Sequence, residues 1–396
     1  MNINRDPLTE LSRSLHIYID NQVESRLYEL FKEATGVSLN EFFDIFFILY
    51  SRFFNKSTEL IPSEGFILDF EKYFKTVSKK YKQTAYQIVN LFSASIEEHK
   101  TTYERQLNSF DLEEYNFQFI KDKPLLEYQK GKFLCLSFAE LCFKATTGLY
   151  EFMRNQLKST SVNMELGEIL GPTFENYIND LIDKVFPPGL SNRVIRRKSK
   201  ERQLTDAILD YGNELVLFEF KAELIQKSHI YTNDIEKIKF ALKPFISKRK
   251  GAVQLDKVIK DFKKGTIALN NIDPKTITKY WPIVVSCIHE VPYYYSLYEF
   301  YDSLLKKYKI FQDPQIGPLV IISIREFEML MELAEKGFNV LEILHQKTST
   351  AQNISFSLWN FLTISKYSKH LKRPEFHTQR LEKLTESLKV RVGLVE

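Results

Sequence analysis

Glycine is scarce in this chain of 396 residues, at 13, and so are cysteine, at three, and tryptophan, at two. So little glycine argues against a glycine-rich nucleotide-binding fold. Neither G-x-x-x-x-G-K-[ST] nor G-x-S-x-G occurs, so the sequence carries no recognisable ATP motor and no serine-hydrolase elbow. Cys135, Cys142 and Cys287 lie in apolar segments without metal-ligand spacing, which argues against zinc knuckles; their odd number suits a reducing compartment and a cytoplasmic location. Long apolar runs are missing as well. The strongest, Phe42 to Tyr50, is interrupted by Asp44 and is shorter than the roughly 20 residues a membrane helix needs. Met1 to Glu10 is too polar for a signal peptide, so no membrane association is expected. A net charge of +4 does not by itself mark a nucleic-acid binder.

What is abundant is aromatic side chain, 32 Phe and 21 Tyr, which points to helices packed through rings. The length predicts two or three domains. Residues 1–160 read as an all-helical accessory domain that positions a substrate or a protein partner, or mediates oligomerisation. Helical spacing runs over Leu15 to Thr35, Ser38 to Phe54, Ser78 to His99 and Ser137 to Leu157, and Ser38-Leu39-Asn40-Glu41 reads as a capping box. His16 and His99 read as surface or capping histidines. Residues 161–345 form the domain with chemistry, and 346–396 a helical, basic extension.

Within the middle domain, Leu204 to Lys221 reads as two strands joined at Gly212-Asn213, residues that tolerate the positive φ of a two-residue hairpin loop. With that loop, Tyr211 pairs with Glu214 and Asp206 stands opposite Glu219. Lys221 shares their face, because side chains alternate along a strand. Val216, Phe218 and Phe220 line the other face. Directly opposed acids lie roughly 4.5–5.5 Å apart at Cβ and repel by roughly 3 kcal/mol at an effective dielectric of about 20. A divalent cation bound through oxygen ligands would relieve this. None of the three residues is asked to fill the core. A structural salt bridge at a strand edge is the plainer alternative.

Upstream, Pro172 to Phe186 carries a core-facing stripe of Phe174, Tyr177, Ile178, Leu181, Ile182 and Val185, with Pro172 suited to a first helical turn. Glu175 borders the stripe, and Glu168 is a second candidate acid. A basic run, Arg193, Arg196, Arg197, Lys198, Lys200 and Arg202, leads straight into the hairpin, as a cationic rim for a phosphodiester backbone would. Beyond it, helices are expected over Asn233 to Ile246 and Ala252 to Lys264, and central strands over Trp281 to Ile288 and Leu319 to Ile324. A helix from Arg325 should end near Gly337. His289 and His345 have no partner at a telling spacing.

Taken together, Gly171-Pro172-Thr173-Phe174-Glu175, Thr205-Asp206 and Glu219-Phe220-Lys221 resemble the core signature of the PD-(D/E)XK, or restriction-endonuclease-like, nuclease superfamily, with Thr205 standing where the family name has Pro. The resemblance implies an α/β fold whose mixed central sheet is flanked by helices. It implies Asp206, Glu219 and the Phe220 main-chain carbonyl as ligands of Mg2+, with Mn2+ as a substitute. Lys221 would orient or activate water, Glu175 would be an auxiliary acid and metal ligand, and Gln254 an accessory residue such as some members carry. The activity implied is that of a nuclease, a DNA endonuclease of bacterial restriction or anti-phage defence by analogy. The alternative is a non-catalytic nucleic-acid-binding or assembly module that retains the fold.

Overall fold

Helix Leu39–Ser57 begins where the sequence predicts, because Ser38 and Glu41 cap each other: Ser38 N–H donates to Glu41 Oε2 at 3.2 Å and Glu41 N–H to Ser38 Oγ at 3.3 Å. Its Phe42, Phe43, Phe46, Leu49 and Phe53 are all buried, and the Phe42 ring meets those of Phe31 and Phe92 at centroid distances of 5.0 and 5.9 Å. The apolar run is thus a core helix. Among the described residues no helix is long and apolar enough to cross a membrane. The computed structural model describes residues 7–20, 25–57, 65–109, 118–157, 160–187, 194–196, 204–221, 234–247, 251–269, 272–286 and 295–392. They form a mixed α/β protein of two units, Met1–Thr173 with Glu375–Glu396, and Phe174–Pro374.

The first unit is not all-helical. Strands β1 (Ile67–Asp69), β2 (Ser93–Ser95), β3 (Leu125–Gln129) and β4 (Lys132–Cys135) form a sheet in the order β1-β4-β3-β2. β3 and β4 are antiparallel and turn through Lys130-Gly131, where Gly131 takes φ +72°. β2 interrupts what the sequence presents as one helix over Ser78 to His99, separating Lys79–Phe92 from Ile96–Ser109. His99 is buried, with a ring nitrogen 3.4 Å from Leu125 O, and its pKa is lowered chiefly by that burial; it is a core histidine rather than a surface one. Burial likewise pushes the Cys135 thiol up to about 12 and raises that of Cys142, so neither is a reactive thiolate. The terminal helix Glu375–Val392 packs on Pro7–Leu15, with His377 Nδ1 2.8 Å from Ser12 Oγ.

The second unit holds a mixed sheet in the order β5-β6-β7-β8-β9. Its strands are β5 (Val194–Arg196), β6 (Ala207–Asp210), β7 (Glu214–Lys221), β8 (Lys279–Ser286) and β9 (Val320–Ser323). β5, β6 and β7 are antiparallel neighbours, and β7, β8 and β9 run parallel. β8 is central, as its unbroken apolar run requires, whereas β9 lies at an edge of the described sheet. One face, carrying Ile208, Leu215, Leu217, Tyr280, Val284 and Ile321, packs against Leu255, Val258, Ile259 and Phe262 of helix Ala252–Lys263 and Tyr301 of helix Tyr295–Lys307. On the other, the Phe218 and Phe220 rings meet Phe327 of helix Ile324–Glu335 edge-on at 5.5 and 5.6 Å.

Pro172 departs from its expected place. It lies inside the continuous helix Thr160–Val185, not in a first turn. It can give no N–H to the turn before it, and beside it Thr173 Oγ1 donates to its own i−4 carbonyl, Ile169 O, at 2.9 Å. The division between the units falls just after, between Thr173 and Phe174. Residues 346–374 belong with the second unit and the last helix with the first, whereas the sequence reading sets its boundaries at 160 and 345.

Candidate active site

The hairpin closes as its sequence requires. Tyr211 N–H donates to Glu214 O at 3.0 Å and Gly212 N–H to Asp210 Oδ1 at 2.7 Å. Gly212 alone takes the left-handed conformation, φ +88°, and Asn213 does not, the pattern of a turn with glycine first. The paired residues run Asp210↔Leu215, Leu209↔Val216, Ile208↔Leu217 and Ala207↔Phe218. The ladder ends at that pair, and Asp206, at a bend just before β6, lies outside the register that the sequence leads one to expect opposite Glu219. Two hydrogen bonds hold Asp206 against β7 out of that register: Asp206 N–H donates to Phe218 O at 3.1 Å, the carbonyl of the residue already paired with Ala207, as at a bulge, and Phe220 N–H donates to Asp206 Oδ2 at 2.7 Å. The Asp206 carboxylate thus stands in for a strand carbonyl just before β6. Thr205, buried, donates its hydroxyl to the same Phe218 O.

Glu219 and Lys221 lie on the face shared with Leu215 and Leu217, and Lys221 Nζ donates to Glu219 Oε1 at 2.6 Å. Both are more deeply placed than the sequence reading assumes, 3% and 6% exposed, whereas Asp206 is half-buried. The ion pair changes the electrostatic argument. At about 2.6 Å and a dielectric of about 20 its gross attraction is roughly 6 kcal/mol, more than the roughly 3 kcal/mol of carboxylate repulsion. With Asp206 also held by a main-chain N–H and Lys221 compensating the charge of Glu219, the acids do not by themselves demand a cation.

Gln254, buried on helix Ala252–Lys263, donates Nε2 to Leu204 O at 2.9 Å, which ties that helix to the residues leading into β6. Glu175 is not buried with Glu219 and Lys221. It is exposed on helix Thr160–Val185, where Tyr177 OH donates to Glu328 Oε1 at 2.5 Å on Ile324–Glu335, the helix behind the opposite face of the sheet. Glu168 is exposed as well. Among the described residues no group of three or more His, Cys, Asp or Glu could hold a metal ion. Arg193, Arg197, Lys198, Lys200 and Arg202 lie outside the described residues, and of Arg196 only the backbone in β5 is described.

Two features escape sequence spacing. His345, expected to be isolated, lies 3.1 Å from Glu214 Oε2, which also accepts from Trp281 Nε1 at 2.7 Å, at the end of β7 away from Lys221. Ser286 ends β8 beside Lys221. Its only sequence signal is a hydroxyl inside the apolar run from Trp281 to Ile288. His289 lies outside the described residues. Compared with protein-family models, curated proteins and solved structures, the chain matches none.

Proposed function

We propose that the Phe174–Pro374 unit is a Mg2+-dependent nuclease that hydrolyses phosphodiester bonds, acting on DNA, and that its core is restriction-endonuclease-like. The observation that supports this reading lies at one end of a buried strand, where Phe220 N–H donates to Asp206 Oδ2 and Lys221 Nζ donates to Glu219 Oε1. A helix leading into an antiparallel meander, then a parallel strand beyond it with helices on both faces, agrees with the mixed sheet the resemblance implies.

The donor set suits a hard cation, since Mg2+ is commonly held by one or two carboxylates together with water and substrate phosphate. Asp206, Glu219 and the Phe220 carbonyl would hold it. When bound, it would polarise a phosphoryl oxygen and lower the pKa of a water. Lys221, which donates to Glu219, would supply an N–H donor where charge develops on phosphate. Gln254 steadies the approach to Asp206 from the next helix. Glu175 is exposed on helix Thr160–Val185, and no role is assigned to it.

Incubating the protein with plasmid, linear duplex, single-stranded DNA and RNA, with Mg2+ and with EDTA, tests the reading. Cleavage that needs Mg2+ and disappears in Asp206→Ala and Glu219→Ala supports it; cleavage retained in both variants removes it. A second reading, a nucleic-acid-binding module without catalysis, is favoured by the closed Glu219–Lys221 pair and the lack of a third acid among the described residues. Binding without cleavage under any divalent cation would select it.

A further inference from the structure

The three parallel strands of the second unit end side by side. Lys221 of β7 pairs with Ser286 of β8, and Ser286 with Ser323 of β9. All three lie on the face of Glu219: Val284 and Ile321 stand one alternation before the two serines, Leu217 two before Lys221, and those three share a core. In open α/β sheets the carboxyl ends of parallel strands are where ligands bind.

The two serines differ. Ser323 is committed to a helix cap, its Oγ accepting from Glu326 N–H at 3.3 Å and donating to Glu326 Oε2 at 3.0 Å. Ser286 is fully buried, at 0% exposure, and its Oγ has no hydrogen-bond partner among the described residues. Buried hydroxyls are ordinarily paired, because an unpaired one forfeits its hydration. This one is paired across the strands with Lys221, on the face that also carries the Glu219 carboxylate. A donor hydroxyl beside an ammonium group is suited to an anionic oxygen, with the ammonium supplying charge and the hydroxyl direction.

We propose that Ser286 is a substrate-binding residue whose hydroxyl, with Lys221, donates to a phosphoryl oxygen of a nucleic-acid strand. The proposal rests on the reading of Asp206, Glu219 and Lys221 as a phosphodiester site and adds to it a residue that contacts the phosphate but takes no part in proton transfer.

The full-length wild type, Ser286→Ala and Ser286→Thr are compared in two measurements in EDTA: thermal melting, and equilibrium binding of a fluorescein-labelled duplex DNA oligonucleotide. Losing an unpaired buried hydroxyl raises the melting temperature. Losing a hydrogen bond to a charged oxygen weakens binding by roughly tenfold or more. Ser286→Ala should therefore melt higher and bind more weakly, and Ser286→Thr, which keeps the hydroxyl, should bind like wild type. With Mg2+, Ser286→Ala should raise KM while kcat holds. If Ser286→Ala melts lower, or binds as wild type does, the hydroxyl is a structural group and the inference is overturned. Cleavage indifferent to Ser286→Ala overturns it while leaving the nuclease reading intact. Ser286-dependent binding without cleavage under any divalent cation removes the nuclease chemistry and leaves the phosphoryl contact standing. A wild type that binds no oligonucleotide overturns both.

Discussion

Replacing Lys221 by methionine should destabilise the second unit far more than a surface substitution would. Lys221 and Glu219 are 6% and 3% exposed and 2.6 Å apart. Removing the ammonium leaves a carboxylate in the core with its charge uncompensated, a change that costs about 3–5 kcal/mol. In a unit of roughly 200 residues each kcal/mol moves the melting temperature by about 2–4 °C, so the expected fall is about 6–20 °C. The double variant Glu219→Met/Lys221→Met removes both charges together, and burying two apolar chains in their place should recover most of the loss. Trp281 and Trp359 are the chain's two tryptophans and both belong to this unit, so thermal unfolding followed by tryptophan fluorescence in EDTA reports on it selectively. A Lys221→Met protein melting within about 2 °C of wild type, or a double variant as unstable as the single one, would refute the buried-pair argument.

Three further outcomes are expected. Asp206→Asn keeps an acceptor for Phe220 N–H and should melt close to wild type in EDTA, whereas Asp206→Ala loses that bond and about 1–2 kcal/mol; if the site holds Mg2+, calorimetry should show weaker binding in both. Lys347 is brought down from 10.5 to about 8 by burial. Between those values the unfolded chain holds the extra proton, so its burial penalty is complete below about pH 8. Stability should then rise by up to roughly 3 kcal/mol towards pH 10.5, a rise that denaturant titrations of Lys347→Met should lack. Neutralising Arg196, Arg197 and Lys198 should flatten the slope of log affinity against log salt by up to about 0.9 per lost phosphate contact, measured on duplex DNA.

The hairpin was legible because two local signals agree. A turn that only Gly212 satisfies fixes which residues face each other, and a period of two fixes which of them share a face. The Ser38–Glu41 box was legible for the same reason, since cap and partner are three residues apart. Burial was not legible. That Glu219 and Lys221 lie beneath the surface depends on helix Ala252–Lys263 and its neighbours, brought in by a chain path no spacing records. The short strands β1 and β2 carry three residues each, too few for alternation to show. β4 does alternate after a glycine turn and was readable in principle, whereas β3 runs from buried to exposed without alternation. Glu214 and His345 are 131 positions apart, a separation that leaves no mark on sequence spacing.

The pairing of helix Glu375–Val392 with Pro7–Leu15 bears on the order in which the chain can mature. Ser12 and His377 are 365 positions apart, so during synthesis at about 5–20 residues per second the amino-terminal helix waits roughly 20–70 s for its partner. The Phe174–Pro374 unit is complete on the ribosome before that partner emerges. Until then the face of Pro7–Leu15 that carries Ser12 lacks its closing helix, and it is the surface a chaperone holding the nascent chain would find last to be hidden.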